Sequence, residues 1–293
     1  MSGLGALAAG FGAPSARAAE GRPEFAFEEQ VLEVPGERLA RRLLLLVPSV
    51  RASVRGVVIL LHGLGETGSE PVGIRAWADR YGLLLAARRL CGSLPLRSDA
   101  KPALLTDERL AELEVKLASR PFEGFAVACP FTPNVFRQPS TAQALDRYAA
   151  WLADGVLPEI RERLALPAGP SAIGIDGVSL GGYVSLEVFL RRPEMFGAVG
   201  ALQAAVGPNL VPSYAARFRE AFARVGPRPL RIASSTWDNE RKASEELVAR
   251  LRKENIVTTV DISPGGHDQR FLREVGTLEL LYHYDRVLPS RKQ

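Results

Sequence analysis

The sequence predicts an α/β architecture: a mostly parallel central sheet of about eight strands with helices on both faces. Three observations predict it. Short apolar runs of strand length alternate with longer stretches of helical spacing, an order that makes successive strands parallel and puts their crossovers on the sheet faces. The residues able to do chemistry fall in loops directly after those runs, where such a sheet opens its crevice. At 293 residues the chain is long enough for one large buried core and needs no second domain.

Residues 1–22 stand apart from the rest. Gly3 to Ala19 is almost wholly Gly, Ala, Leu, Pro and Ser with Arg17 its one charge. Leu4 to Phe11 as an apolar stretch and Ala16-Arg17-Ala18 as a small-residue cleavage pattern read as an export signal lacking its positive start, and a disordered low-complexity tail is the alternative. The signal reading favours an extracytoplasmic or secreted location over a cytoplasmic one. Residues 23–293 form the expected single domain.

Phe25 to Val34 and Leu39 to Val47 predict an opening pair of strands turned by Pro35-Gly36. Val57 to Leu61 is the third strand and Phe125 to Cys129 the fourth. Between them, residues 66–124 include Trp77, Tyr81 and a helix with Leu110, Leu113 and Leu117 on one face. That spacing fits either a lid or covering insertion or a helix packed on the sheet. Ser171 to Asp176, Gly197 to Leu202, Leu230 to Ser235 and Val257 to Ile262 supply the later strands, with helices over Gly182 to Arg192, Glu240 to Lys253 and Leu280 to Leu288.

Gly177-Val178-Ser179-Leu180-Gly181 joins a predicted strand to a predicted helix. It reads as a nucleophile elbow, in which a sharp turn exposes a serine hydroxyl and small neighbours are required because the backbone leaves no room for side chains. With 27 glycines the bare pattern is weak, so the strand before it and the helix after it carry the reading. A serine nucleophile needs a base, and the chain has three histidines. His62 follows the third strand and shapes a turn; His283 lies in the last helix and reads as structural. His267, in the loop Pro264-Gly265-Gly266-His267-Asp268, is the candidate base.

The acid is expected on a loop between serine and histidine in chain order. Asp238, in Thr236-Trp237-Asp238-Asn239, fits best. Glu240 is its nearest rival, Asp261 a weaker one, and a helix cap is the structural alternative. Backbone N–H groups of Leu180 and Leu64 are the candidate oxyanion donors, with Gly65 the neighbouring alternative to Leu64. Glu66, Phe131 and Trp237 are the candidate substrate contacts.

His62-Gly63-Leu64-Gly65, Gly177 to Gly182, Pro193-Glu194-Met195-Phe196 and Pro264 to Asp268 together resemble the α/β-hydrolase superfamily, and within it the branch of esterase D, the feruloyl and acetyl-xylan esterases and the mycolyl transferases. The resemblance covers roughly residues 25 to 288. It implies the α/β-hydrolase fold and a serine carboxylic ester hydrolase without metal or other cofactor. Ser179 would be its nucleophile, His267 its base and Asp238 its acid, with Leu64 and Leu180 amides holding the oxyanion. The acid loop departs from the family, since Trp237-Asp238-Asn239 replaces a small residue, aspartate and proline.

The implied substrate is a small-molecule or polysaccharide-linked ester. An acyltransferase or peptidase on the same scaffold, or a non-catalytic binding protein of this fold, stays open as an alternative. A formal charge of +4 with scattered arginines argues against nucleic-acid binding, and no apolar run is long enough to span a bilayer. Cys91 and Cys129 are too few for a zinc cage and are expected as free thiols.

Overall fold

The computed structural model describes residues 25–49 and 54–290. The signal-like or disordered reading of residues 1–22 lies outside them. Eight strands form one sheet: β1 (Phe27–Glu33), β2 (Arg42–Pro48), β3 (Val57–Leu61), β4 (Ala126–Pro130), β5 (Ile173–Gly177), β6 (Ala198–Leu202), β7 (Leu230–Ser235) and β8 (Thr259–Ser263). Their order is β1-β2-β4-β3-β5-β6-β7-β8. β2 is antiparallel to both its neighbours, and β4, β3 and β5 to β8 run parallel. The ends of these elements lie within a few residues of the expected ones. The helix after β5 begins two residues earlier than its spacing indicates, at Leu180, because the chain turns from strand into helix at Ser179 itself.

Composition explains the layering. β3, β5, β6 and β7 are buried along their whole length, as strands covered on both faces must be; β3 and β6 carry no polar side chain, and the charged residues of the other two, Asp176 and Arg231, lie 3.6 Å apart as a buried pair. β1, Phe-Glu-Glu-Gln-Val-Leu-Glu, is a charged edge that discourages pairing with another chain. Alternation along β5 shows the two helical layers directly. A Cβ at Gly174 would come 2.5 Å from Tyr284 on the C-terminal helix Thr277–Val287, whereas a Cβ at Gly177 would meet Gly181 on the helix Leu180–Arg191 at 2.4 Å. Odd and even positions of one strand thus touch different helices, one on each face.

After β3 the chain goes to β4 on one side, and after β5 it goes to β6 on the other. Loops leaving in opposite directions open a crevice at the carboxyl ends of β3 and β5. The helix Asp107–Ser119 lies away from that crevice: Leu113 is buried, and Arg109 forms a two-pronged pair with Glu279 of the C-terminal helix at 2.8 and 2.6 Å.

Arg55, just before β3, ties the sheet to the C-terminal helix. Its guanidinium donates to the carbonyls of Gly124 (2.9 Å), Asp285 (3.1 Å) and Pro289 (3.2 Å) and to the Asp285 carboxylate, which also accepts from the Glu123 and Gly124 N–H groups at 3.0 and 3.2 Å. Arg55 is 6% exposed and Asp285 0%. Removing one member of such a pair strands the other charge without water. Arg55→Ala is expected to lower the unfolding free energy by about 3–5 kcal/mol, read from urea denaturation at neutral pH. A loss below about 1 kcal/mol would mean that the site relaxes to admit water.

Candidate active site

The strand-to-helix turn sets the site. Ser179 stands between β5 and the helix at φ 57° and ψ −117°, a conformation unfavourable for a residue with a side chain and typical of strain held by its surroundings. Its N–H donates to the Leu202 carbonyl of β6 at 2.9 Å, and its carbonyl accepts from the N–H groups of Tyr183 and Ala205, both at 3.0 Å. The flanking glycines are a packing requirement. A Cβ at Gly181 would lie 2.2 Å from the Leu61 carbonyl oxygen and 2.6 Å from that of His62, so only glycine lets the helix approach β3.

The turn after β3 faces Ser179. His62 is buried and fully engaged. Its Nδ1–H donates to the Gly63 carbonyl at 2.9 Å, its Nε2 accepts from the Thr132 N–H at 2.9 Å, and its backbone N–H donates to the Thr132 hydroxyl at 3.0 Å. Burial pushes its pKa down to about 4, so the ring is neutral and serves to join the ends of β3 and β4. Gly63 donates to the Tyr81 hydroxyl at 3.3 Å, and Tyr81 donates to Glu66. A Cβ at Gly63 would lie 3.8 Å from both Glu66 Oε2 and Ser179 Cβ, so both border this glycine. Leu64 opens the short helical turn Leu64–Glu66 and Leu180 opens its helix. The first N–H groups of a helix have no partner inside it, so both amides are free to donate outward.

Asp238 follows β7 and is 7% exposed. Its Oδ1 accepts from His267 Nδ1 at 2.8 Å and from the Glu240 N–H at 3.1 Å, and its Oδ2 accepts from the Ser234 hydroxyl. Burial pushes this carboxyl up, but the hydrogen bonds from His267, Ser234 and the Glu240 amide outweigh it and hold the pKa below the usual carboxylate range. The Asp238 carboxylate in turn raises the His267 pKa against the opposing effect of burial. Neither rival carboxylate bonds the imidazole. Asp261 on β8 pairs with Arg231 at 3.1 Å, and Glu240 contributes its backbone N–H to Asp238.

Ser179 and His267 line one cleft of about 260 Å3 together with Leu64, Glu66, Tyr81 and Gln203. Of the stretch 66–124, Glu66 and Tyr81 are the residues that reach it. A larger groove, about 550 Å3 between the helix Asp107–Ser119, β8 and the C-terminal helix, holds His283 but none of Ser179, Asp238 and His267. Burial pushes the His283 pKa down to about 3.

Of the three expected substrate contacts, only Glu66 lines the cleft. Phe131, directly after β4, instead packs its ring 5.3 Å from that of His62. Trp237 is 71% exposed outside the cleft lining, its backbone held by an N–H bond of 2.9 Å to the Gly265 carbonyl. Gln203 carries no sequence signal, being a lone glutamine after a strand; its positive φ of 48° and its burial single it out in the fold. Cys91 and Cys129 are unpaired. Among the described residues no group of three or more His, Cys, Asp or Glu is placed to hold a metal ion, and no helix is long and apolar enough to cross a membrane.

The family model described as "Putative esterase" matches residues 128–282, just over half of the chain. No curated protein matches it. Among solved structures, a ferulic acid esterase superposes with a TM-score of 0.60 at 15% identity, over 90% of this chain and 100% of that one. An S-formylglutathione hydrolase from Staphylococcus aureus superposes at 0.55 and 14%, over 90% and 98% of the two chains. The enterobactin esterase from Shigella flexneri does so at 0.57 and 16%, over 91% of this chain and 61% of its own. At such identities the shared property is the α/β-hydrolase fold.

The electrostatics give a direct measurement. In an NMR titration of the imidazole groups, His267 is expected to protonate above the ordinary histidine value, clear of His62 and His283. Removing the Asp238 charge destabilises the imidazolium, so Asp238→Asn lowers the His267 midpoint, and by more than Glu240→Gln does. The opposite order would make Glu240 the dominant partner.

Proposed function

The chain belongs to the Esterase family of carboxylic ester hydrolases, and from that premise we propose that it works by an acyl-enzyme mechanism through Ser179, His267 and Asp238. The observation that carries the reading is the 2.8 Å bond from His267 Nδ1 to Asp238 at the cleft that Ser179 also lines. A carboxylate on Nδ1 fixes the tautomer that leaves Nε2 free to accept a proton. His267 Nε2 takes the Ser179 proton as Oγ bonds to the ester carbonyl carbon. The oxygen that gains charge is held by the N–H groups of Leu180 and Leu64, donors oriented before the reaction begins. As the tetrahedral adduct collapses, the carbon–oxygen bond to the alcohol breaks and the imidazolium protonates the departing oxygen.

Water then repeats the sequence on the acyl-enzyme. It gives its proton to His267, the carbon–Oγ bond breaks, and Ser179 recovers its hydrogen as the acid leaves. An alcohol in place of water would make the same steps an acyl transfer. The small cleft, which buried Glu66 and Ser179 both line, supports a small-molecule or polysaccharide-linked ester whose reacting end is compact, with Glu66 touching it. Residues 23–293 act in this scheme as one catalytic domain.

A fluorophosphonate probe is expected to label the wild-type protein and not Ser179→Ala, and hydrolysis of short-chain nitrophenyl esters should vanish with the label. Equal labelling of both proteins would remove Ser179 from the mechanism. Asp238→Asn should lower kcat by about 10³–10⁴-fold through loss of the productive tautomer, whereas Glu240→Gln changes it little.

Activity also depends on pH with a defined sign. The base must be neutral, so kcat/KM falls as pH drops through the His267 pKa, at a midpoint above the ordinary imidazole value. A midpoint at or below that value in the wild-type profile would contradict the assigned pairing.

A further inference from the structure

Gln203 lines the cleft beside Ser179 and His267. It follows β6 directly, is 0% exposed and has a left-handed backbone at φ 48°. Its Nε2 donates to the Ser235 hydroxyl and to the Gly266 carbonyl, both at 2.8 Å, and Ser235 donates to that same carbonyl at 3.0 Å. A carbonyl oxygen can only accept, so these partners fix which end of the amide is nitrogen. The Oε1 end is buried without a hydrogen-bond partner among the described residues. A strained backbone and an unsatisfied buried acceptor in one residue are costs that a fold retains where the rest of the side chain is needed.

The topology shows what it is needed for. β6 and β8 are separated by β7, a distance of about 10 Å at ordinary strand spacing. Gln203 reaches over the end of β7, at Ser235, to the loop after β8, at Gly266. The residues around it hold the other partner: the Leu202 carbonyl accepts the Ser179 N–H, and the Ala205 N–H donates to the Ser179 carbonyl. One short segment therefore grips the peptide groups of Ser179 with its backbone and the peptide preceding His267 with its side chain.

We propose that Gln203 is a positioning residue that sets the distance and angle between Ser179 and His267 by fixing the Gly266 carbonyl over the end of β7. It acts through His267 and touches neither reacting atom. The inference rests on the Ser179–His267–Asp238 reading. Neighbouring contacts are insufficient alone: the Trp237 N–H donates to the Gly265 carbonyl, a bond that joins the acid and base loops to each other without tying them to the serine.

Gln203→Met keeps length and volume and removes both donors. On a short-chain nitrophenyl ester its kcat is expected to fall ten- to a hundredfold with KM changed less than threefold, and the His267 NMR titration should shift from the wild-type midpoint. Ser235→Ala, which leaves the Gln203 bond to Gly266, should lose less, and the double variant should lose no more than Gln203→Met alone. If Gln203→Met does not fold, Ser235→Ala and Gln203→Leu carry the test. Leucine has no donor for the Gly266 carbonyl, so Gln203→Leu should also lose kcat with KM kept. Wild-type kcat and an unshifted His267 midpoint in the variant that folds would overturn the proposal, as would a rise in KM with kcat intact. Full activity of Ser179→Ala would instead remove the parent reading, so the two failures are distinguishable.

Discussion

The structure depends on how closely one helix can approach one strand. Gly181 lies against the carbonyl oxygens of Leu61 and His62, where a single added carbon would collide with backbone. That contact lets the helix Leu180–Arg191 start immediately after β5 and holds Ser179 at a positive φ beside the turn after β3. Backbone atoms cannot rotate away as side chains do, so the approach is fixed by geometry rather than by preference. The strain at Ser179 is held in place by hydrogen bonds to β6 on one side and to the first turn of the helix on the other.

Three histidines show how surroundings divide one chemistry among different roles. His62 is held in its neutral form by burial, and its two backbone partners use both ring nitrogens, which makes it a brace between strands. His283 is likewise pushed to its neutral form by burial, on the far helical layer. His267 alone has a carboxylate on one nitrogen and a cleft on the other side, and its pKa moves the opposite way. The difference comes from partners and solvent, since the ring is the same in each.

The loops at the carboxyl ends of β6, β7 and β8 act as one unit through short polar contacts. Ser234 and Ser235 are consecutive on β7, yet one donates to Asp238 and the other to Gly266, because successive side chains of a strand point in opposite directions. The acid and the base are thereby anchored to the same strand end. Small hydroxyl residues suit that place, being short enough to leave room for the loops and polar enough to satisfy them.

Much of the fold was legible in the chain. Strands such as Val57–Leu61 and Ala198–Leu202 announce themselves by runs free of polar side chains, and the elbow by glycines whose spacing is dictated by local sterics. Those are properties of neighbours in sequence, and sequence therefore determined them, along with the set of candidate side chains Ser179, Asp238 and His267. Tertiary structure alone decided the contacts among residues far apart. It turned Phe131 into the packing around His62, left Trp237 outside the cleft, chose Asp238 over Glu240 as the partner of His267, and brought Gln203 to Gly266. Each depends on the direction a side chain takes once strands 60 or more residues apart are in register or two loops have met, and no local pattern encodes that direction.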